Sequence, residues 1–262
     1  MRTGFTLLAG FAAVLGTIST AQAADLYGEV SPEVVDPPAL RRQLSWYMRI
    51  DGGYSINRET GFHEAGYGSL GSTSLDNTGV LGGGLGLYLG RNIRIDITGD
   101  YRFEADADAT SLDLTVPGER RFGLSSTVLL ANMYYDFDVG SRWRPYLGFG
   151  IGAVHHGTSS GSIVGVGSVD SGSNWNFAGA LMAGVSLNFG ARSMPGGSAK
   201  DPVIYQEARG PYNLDIGYRF LMLGDAETGA VRDGGGAIAY NSIKVEDITA
   251  HEFRVGLRVE FR

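Results

Sequence analysis

The segment IRIDITGDYRFE, Ile93 to Glu104, decides the fold because apolar and polar residues alternate through it almost without interruption. The odd-numbered residues are Ile93, Ile95, Ile97, Gly99, Tyr101 and Phe103, and the even-numbered ones are Arg94, Asp96, Thr98, Asp100, Arg102 and Glu104. A period of two places these sets on opposite faces of a β-strand. In a soluble sheet the charged face would meet water, whereas in a transmembrane barrel the apolar face meets lipid and the charges point into the lumen.

The N-terminus predicts export. Arg2 precedes an apolar run from Phe5 to Leu15, and the small residues Ala21 and Ala23 then form a cleavage site. This order indicates a signal peptide over residues 1–23, with an apolar run too short to span a bilayer as a helix. Residues 24–45 contain three prolines and no sustained period, so we expect a flexible periplasmic N-terminal tail ahead of a barrel domain over residues 46–262.

The composition excludes several kinds of site and partner. The 262 residues include 41 glycines and no cysteine, and the net charge is -7, which becomes -8 once Arg2 is cleaved off. The absence of cysteine excludes disulfides, thiolate metal sites and a lipidated cysteine. An acidic exported chain also argues against a nucleic-acid partner.

Eight segments of barrel-strand length alternate in the same way, and no segment predicts a helix. They are Trp46 to Ser55, Gly79 to Leu89, Ile93 to Glu104, Leu124 to Phe137, Arg144 to His155, Asn174 to Phe189, Tyr212 to Leu223 and Thr249 to Phe261. The fold class is therefore all-β, an eight-stranded antiparallel up-and-down barrel. Long polar connections, Ile56 to Thr78, Ala105 to Arg121, Gly157 to Ser173 and Gly224 to Asp247, alternate with short ones, except for the long Gly190 to Pro211.

Two patterns favour lipid outside over a soluble sheet. Glycines such as Gly82, Gly84 and Gly148 share the charged face, where they would make room for long side chains in a narrow lumen. Aromatic residues collect near strand ends, as in the girdles at the two membrane interfaces. We assign to the interfaces Trp46, Tyr135, Phe137, Trp143, Trp175, Phe189, Tyr212 and Phe261, and we place Tyr134 with them.

Three stretches carry a family resemblance: YYDFDVGSRWRPYLGFGIGAVHH from Tyr134, LDIGYRFLMLGDAETG from Leu214 and HEFRVGLRVEFR from His251. They resemble the OmpA-like eight-stranded outer-membrane β-barrels, a family of small porin-like proteins of Gram-negative bacteria. The chain departs from that family at its end, where Arg262 follows the aromatic Phe261. The resemblance implies the cell outer membrane, with both termini periplasmic, and insertion by the barrel-assembly machinery.

If the apolar faces meet lipid, a set of charged residues points into the lumen. It comprises Arg49, Asp51, Arg94, Asp96, Asp100, Arg102, Asp215, Arg219, Glu252, Arg254, Arg258 and Glu260, and the same parity adds Glu104. An eight-stranded lumen is only about wide enough for its own side chains, and buried charges must pair. We therefore expect interstrand ion pairs that close the passage, with a narrow or gated ion pathway as the alternative.

A lipid A-modifying hydrolase is a remote alternative. His155 and His156 precede Thr158, Ser159 and Ser160 at a strand end, but adjacent residues of a strand face opposite sides and no carboxylate can be placed beside them. Scattered histidines and a loose acidic patch at Glu104, Asp106 and Asp108 do not define a metal site, so we expect neither an enzyme nor a cofactor.

The sequence therefore predicts a barrel with a structural and surface role in envelope integrity or in contact with a host or other surface. A small porin-like channel for ions or small solutes is the alternative. The expected partners are outer-membrane lipid, lipopolysaccharide and a surface ligand bound by the long loops.

Overall fold

The structure is a computed structural model of the chain, and it describes residues 45–64, 68–111, 118–163, 167–190, 192–196, 204–208, 210–240 and 242–261. The predicted signal peptide and all but the last residue of the predicted tail, Ser45, lie outside the described residues. In the described part there is no helix that is long and apolar enough to span a bilayer.

Eight long strands form the barrel. They are β1 (Ser45–Arg58), β2 (Thr78–Leu89), β3 (Ile93–Ser111), β4 (Gly118–Asp136), β5 (Trp143–Thr158), β6 (Gly172–Phe189), β7 (Tyr212–Glu227) and β8 (Ile243–Phe261). Each pairs antiparallel with the next along the chain. β1 also pairs with β8, from Trp46 opposite Phe261 to Arg58 opposite Thr249, and this pairing closes the ring. The predicted all-β, up-and-down barrel is confirmed.

The two ends of the barrel differ. We call the end with the short β2–β3 and β4–β5 connections the turn end, and the opposite end the loop end. At the turn end every predicted strand boundary is right to within one residue, whereas at the loop end the strands run further than predicted, by up to seven residues in β3.

Much of the four segments predicted as long polar loops is β-structure. Seven short strands lie there: Gly61–Glu64, Gly68–Ser69, Gly71–Leu75, Gly161–Ile163, Gly167–Val169, Val231–Asp233 and Ile238–Tyr240. The first pairs with β8, the third with β3 and the fourth with β4. These short strands, together with residues 104–111, 118–124, 224–227 and 243–247 of the barrel strands, form what we call the extension. At the turn end, the unexpectedly long connection after β6 contains an antiparallel pair, Arg192–Gly196 with Ile204–Ala208.

The inside and outside of the barrel exchange character towards the loop end. Along β4, the inward Asn132 and Asp136 of the turn-end part are followed in the extension by the inward Phe122 and Leu124. The outward face changes in the opposite sense, from exposed Leu129, Met133 and Tyr135 to exposed Glu119 and Arg121. In its turn-end part β4 is therefore polar on the inward face and apolar on the outward face, whereas in the extension its inward residues are apolar and its outward ones charged.

In β3 a β-bulge reverses which residues face the lumen. The register with β4 shifts between Arg102 and Ala105, so both of these residues point inward and are buried, while Glu104 between them is exposed. The prediction that Glu104 faces the lumen is wrong, because a bulge adds a residue to one strand and reverses the parity beyond it. β7 has irregular register between Met222 and Ala226, and in β8 Asp247 has a positive φ of 49°.

Candidate functional site

All twelve charged residues predicted for the lumen point into the barrel. Asp51, Arg94, Asp96, Asp100, Arg102, Asp215, Arg219, Glu252, Arg254 and Arg258 are buried. Arg49 retains 12% of its side-chain exposure, and Glu260 is half-buried at the turn end. The period of two explains this placement, since the inward positions of each strand alternate with the apolar outward positions.

Glu252 is the centre of the first of two ion-pair clusters. Its Oε2 accepts hydrogen bonds from Arg219 Nε at 2.8 Å and Arg254 Nη1 at 3.0 Å, and its Oε1 accepts one from Arg102. Asp100 accepts from two of the same arginines, Arg219 Nη1 at 2.7 Å and Arg254 Nη2 at 2.5 Å. These bonds join β3 to β7 and β8 across the lumen, so the cluster bridges strands that are not neighbours in the ring.

The second cluster lies nearer the turn end and surrounds Asp215. Arg258 Nη1 is 3.1 Å and Arg94 Nη1 is 3.9 Å from Asp215 Oδ2, while Ser186 Oγ donates to Oδ1 at 2.5 Å. Arg94 Nε also donates to Asp136 Oδ1 at 3.0 Å. This cluster ties β3 and β4 to β6, β7 and β8.

Arg49 connects the two clusters. Its Nε donates to Asp51 Oδ2 at 2.9 Å, and its Nη1 lies 3.4 Å from Asp96 Oδ2. Asp51 also pairs with Arg254 of the first cluster, and Arg49 Nη1 donates to Tyr134 OH at 3.1 Å, over whose ring a guanidinium of the second cluster lies. The result is one continuous polar network through the turn-end half of the barrel.

Inward tyrosines contribute to the network. The Arg94 guanidinium lies over the rings of Tyr134 and Tyr146, with its carbon 4.3 Å and 4.8 Å from the ring centroids. Arg94 Nη1 and Nη2 have no hydrogen-bond partner in the described part of the chain, and the two rings supply the favourable contact instead. The assignment of Tyr134 to the membrane interface is wrong, because Tyr134 lies on the inward, even-numbered face of β4 and is buried.

The network is electrically balanced. Six arginines, at positions 49, 94, 102, 219, 254 and 258, meet six carboxylates, at positions 51, 96, 100, 136, 215 and 252. Asp136 was not among the predicted lumen residues, although its even number in β4 is the signal that places it inside. Balance matters here because an unpaired buried charge costs several kcal/mol.

Glycines on the inward faces provide the space that these side chains occupy. A Cβ on Gly82 would collide with the Asp100 carboxylate, one on Gly86 with the Tyr47 ring and one on Gly148 with the Tyr134 ring. Gly99, which points outward on β3, would meet nothing within 4 Å. The glycine ladder therefore belongs to the filled lumen.

An apolar layer covers the network on its loop side. Its members, all inward-facing and buried, include Phe62, Ala105, Ala107, Phe122, Leu124, Val128, Leu130, Val154, Leu221, Leu223, Ile243, Val245, Ile248 and Ala250. The sequence analysis missed this layer, which combines residues of the segments predicted as loops, such as Phe62 and Val245, with inward residues of the predicted strands, such as Val128 and Leu130. Two voids inside the barrel measure about 20 Å³, beside Arg49 and Arg254, and about 10 Å³, beside Arg102 and Leu223. Each holds about one water molecule at most.

Comparison with known proteins identifies the class of barrel. A family model described as the outer membrane protein beta-barrel domain matches residues 10–261. The chain belongs to this family. It is therefore an outer-membrane barrel protein, and its turn end is the periplasmic end.

The relatives extend the likeness but do not assign a role. This outer-membrane barrel is 26% identical to an uncharacterized protein of Brucella abortus (strain 2308), with 100% of both chains covered. It is similar to the crystal structure of the outer membrane protein OprG from Pseudomonas aeruginosa, with a TM-score of 0.50, 15% identity and 84% and 97% of the two chains covered. It is also similar to Neisserial surface protein A, with a TM-score of 0.44, 18% identity and coverage of 82% and 97%. The likeness to OprG shows the fold alone.

The eight aromatic residues assigned to the membrane interfaces all lie on the outer face, where between 41% and 68% of each residue is exposed. Seven lie at the periplasmic ends of their strands, and Trp175 lies at the loop end of β6. Other exposed aromatics accompany Trp175 at the loop end, namely Tyr54, Tyr101, Phe103, Phe177 and Phe253. The predicted set thus contains seven residues of the girdle at the periplasmic end and one residue, Trp175, of the girdle at the loop end.

The adjacent histidines of β5 face opposite sides, as the strand period requires. His155 packs against Trp175 on the outer face, with ring centroids 4.8 Å apart. His156 is buried, with Nδ1 2.8 Å from Ser126 Oγ and Nε2 3.0 Å from the carbonyl oxygen of Leu223. Because a carbonyl only accepts, Nε2 carries the proton and Nδ1 accepts from Ser126. The Ser126–His156 pair is buried and therefore cannot reach a lipid.

Among the described residues no group of three His, Asp or Glu side chains could hold a metal ion.

Proposed function

We propose that this outer-membrane barrel is a closed, non-conducting protein with a structural and surface role. The observation that carries the proposal is the filling of its interior by two successive layers, a balanced ion-pair network and an apolar layer. An eight-stranded barrel is just wide enough for its own side chains. Here the two voids described above, lined by residues of the part of the barrel that the structure describes, have the size of single water molecules.

Each layer would oppose ion flow for a different physical reason. In the charged layer, an entering ion would have to displace one partner of a buried pair and leave the other uncompensated, which costs several kcal/mol. In the apolar layer most of the lining is hydrocarbon, and buried polar groups such as Ser126 and His156 are already hydrogen-bonded, so little replaces the water that the ion gives up. The two layers lie in series, so both would have to open before current flows.

The extension supports the surface part of the proposal. Its strands are hydrogen-bonded to the barrel and enclose an apolar interior, while exposed charged residues such as Glu104, Asp106 and Glu119 cover its outside. A rigid, solvated platform of this kind suits contact with lipopolysaccharide or with an external surface. We infer no catalysis, since the one Ser–His pair described above, Ser126 with His156, is buried.

Conductance in planar bilayers tests the proposal. The refolded full-length protein, inserted from vesicles, is expected to give no stepwise current. Arg254→Ala removes an arginine that contacts Asp51, Asp100 and Glu252, yet it is also expected to stay closed because the apolar layer remains. A matched outer-face variant, Leu181→Ala, controls for the insertion procedure.

The alternative, a small porin-like channel, makes the opposite prediction for the unaltered protein. A large and stable conductance in the wild type would overturn the closed-barrel proposal. Current in Arg254→Ala but not in the wild type would mean that the ion-pair network closes the barrel by itself and that the apolar layer does not block ions. Protection of the inserted barrel from protease verifies that a silent bilayer contains folded protein.

A further inference from the structure

The periplasmic end of the barrel contains a cavity that the closed interior leaves open. Its volume is about 420 Å³, within the usual range for small-molecule sites of roughly 300–1,000 Å³. Seven of the eight barrel strands and the β2–β3 turn line it, through Ser45, Tyr88, Gly90, Arg91, Asp136, Arg144, Asn188, Asn213, Arg258 and Glu260. We call this cavity the vestibule. Its lining is polar, although it lies directly beneath the balanced network.

Several charges of the vestibule are already matched. Asp136 is held by Arg94, Arg258 is paired with Asp215, and Arg144 Nη2 lies 3.2 Å from Asp138 Oδ2. These groups form a floor whose charges cancel. A ligand drawn to the vestibule by charge must therefore contact other groups.

Two opposite charges of the lining have no partner of the other sign in the part of the chain that the structure describes. Glu260 Oε1 accepts two hydrogen bonds, from Tyr88 OH and Asn213 Nδ2, both at 2.9 Å, and both donors are neutral. Arg91 lies exposed in the β2–β3 turn, and none of the ion pairs among the described residues includes it.

We propose that the vestibule binds a small zwitterion, namely a free amino acid or a short peptide with both termini free. Its ammonium group would pair with Glu260, and its carboxylate would pair with Arg91. A purely anionic ligand would meet the unmatched carboxylate, and a purely cationic one would meet the unmatched guanidinium. Only a molecule with both signs satisfies both groups.

The carboxylate is positioned before any ligand arrives. Tyr88 and Asn213 fix Glu260 from β2 and β7, and the bonds they make leave Oε2 for an ammonium group. A charge-assisted bond to a preorganised partner is stronger than one to a mobile side chain. The vestibule faces the periplasm, so the ligand is a periplasmic one and its binding does not depend on whether the lumen conducts.

Binding of the dipeptide alanyl-alanine to the refolded full-length protein in detergent micelles tests the proposal, with titration calorimetry as the measurement. The wild type is expected to bind it, whereas N-acetyl-alanyl-alanine and alanyl-alanine amide, which each lack one charge, are expected to bind about tenfold more weakly or worse. Glu260→Gln and Arg91→Gln should each weaken binding of the free dipeptide to a similar extent. Arg142→Gln, at an exposed position of the β4–β5 turn outside the cavity lining, is the matched control and should leave binding unchanged.

The proposal is overturned if the wild type binds no dipeptide up to about 10 mM, the weak limit of a specific small-molecule site. It is equally overturned if the two blocked dipeptides bind as well as the free one, or if Arg142→Gln loses as much affinity as Arg91→Gln. A heat-modifiability gel on each variant checks the fold. Should Glu260→Gln fail to fold, Arg91→Gln on the exposed turn and the blocked dipeptides still decide the question.

Discussion

At the scale of single residues, the interior is governed by the cost of burying charge. Arg94 illustrates the point: it is 1% exposed and has four contacts of two kinds, ion pairs with Asp136 and Asp215 and cation–π contacts with the rings of Tyr134 and Tyr146. A guanidinium without such contacts would lose its hydration and gain nothing in return. The contacts are therefore better understood as mutual neutralisation than as a binding site.

Glu252 is the residue at which this balance is most easily broken. Glu252→Gln removes the only charge of a carboxylate that meets Arg102, Arg219 and Arg254 and has no exposed surface. We expect the free energy of unfolding to fall by about 3–5 kcal/mol, as happens when one partner of a buried pair is lost. Urea unfolding in lipid vesicles, followed by tryptophan fluorescence, measures the change.

Glu246→Gln is the matched control for this variant. Glu246 lies on the outer wall of the extension, 39% exposed and 4.0 Å from Lys244, so its loss should change stability by less than about 1 kcal/mol. Equal unfolding curves for Glu252→Gln and the wild type would contradict the view that the network is a set of mutually dependent charges.

At the scale of strands, the period of two predicts which residues face the lumen but not which of them meet. Parity alone places Arg102 and Glu252 inside. Their contact, however, joins β3 to β8 across the barrel, and it depends on register and stagger that no local pattern encodes. The same applies to the two tyrosines beside Arg94: parity places Tyr134 and Tyr146 inside, but their contact with Arg94 depends on register.

The extension shows where the period itself misleads. The bulge between Arg102 and Ala105 reverses the parity of β3, so Glu104, which continues the alternation of the segment 93–104, ends on the outer face. Beyond it the inward alanines Ala105, Ala107 and Ala109 are small and separated by acids. This composition is typical of loops as well as of strands, which explains why the loop-end boundaries were underestimated.

An ion pair on the outer wall of the extension should make the stability of this region depend on pH. Asp225 Oδ2 lies 2.8 Å from Lys244 Nζ, and Asp225 Oδ1 accepts from the backbone N–H of Asp247 at 2.9 Å. Partial burial acts to raise the pKa of Asp225, but the two hydrogen bonds and the charge of Lys244 together lower it below its ordinary 3.8. The stability that this pair contributes is fully present above the ordinary value and is lost as the pH falls through the lowered one.

Lys244→Met should therefore raise the pKa of Asp225, because it removes the hydrogen bond and the positive charge from the carboxylate. NMR titration of the Asp225 side chain in micelles measures this shift. The effect on stability should be small, as both side chains are about one-third exposed. An unchanged titration curve would mean that the pair does not form in solution.

At the scale of the whole molecule, the barrel has two interiors because it has two surroundings. In the periplasmic half the outer face is apolar and the inside is charged, as suits strands that cross a bilayer. In the extension the outer face is polar and the inside is mainly apolar, with Arg120 buried among the apolar residues, as suits a sheet in water. The level of the β3 bulge thus marks the outer boundary of the membrane.

This arrangement predicts which positions are accessible from each side of the outer membrane. The chain has no cysteine, so single cysteines can be introduced and labelled without background. Gly235→Cys lies exposed in the 233–237 turn of the extension, and Ser141→Cys lies exposed in the β4–β5 turn at the periplasmic end. Gly99→Cys points to the lipid at mid-barrel, where an added Cβ meets nothing.

A membrane-impermeant maleimide on intact cells should label Gly235→Cys at once and Ser141→Cys only after the outer membrane is permeabilised. Gly99→Cys should stay unlabelled in both conditions, because a thiol in hydrocarbon neither ionises nor meets the reagent, and should react once the protein is unfolded. Labelling of Ser141→Cys on intact cells would reverse the orientation and place the vestibule outside the cell. Labelling of Gly99→Cys in the folded barrel would remove the apolar face of β3 from the membrane, and with it the physical reason for a charged interior.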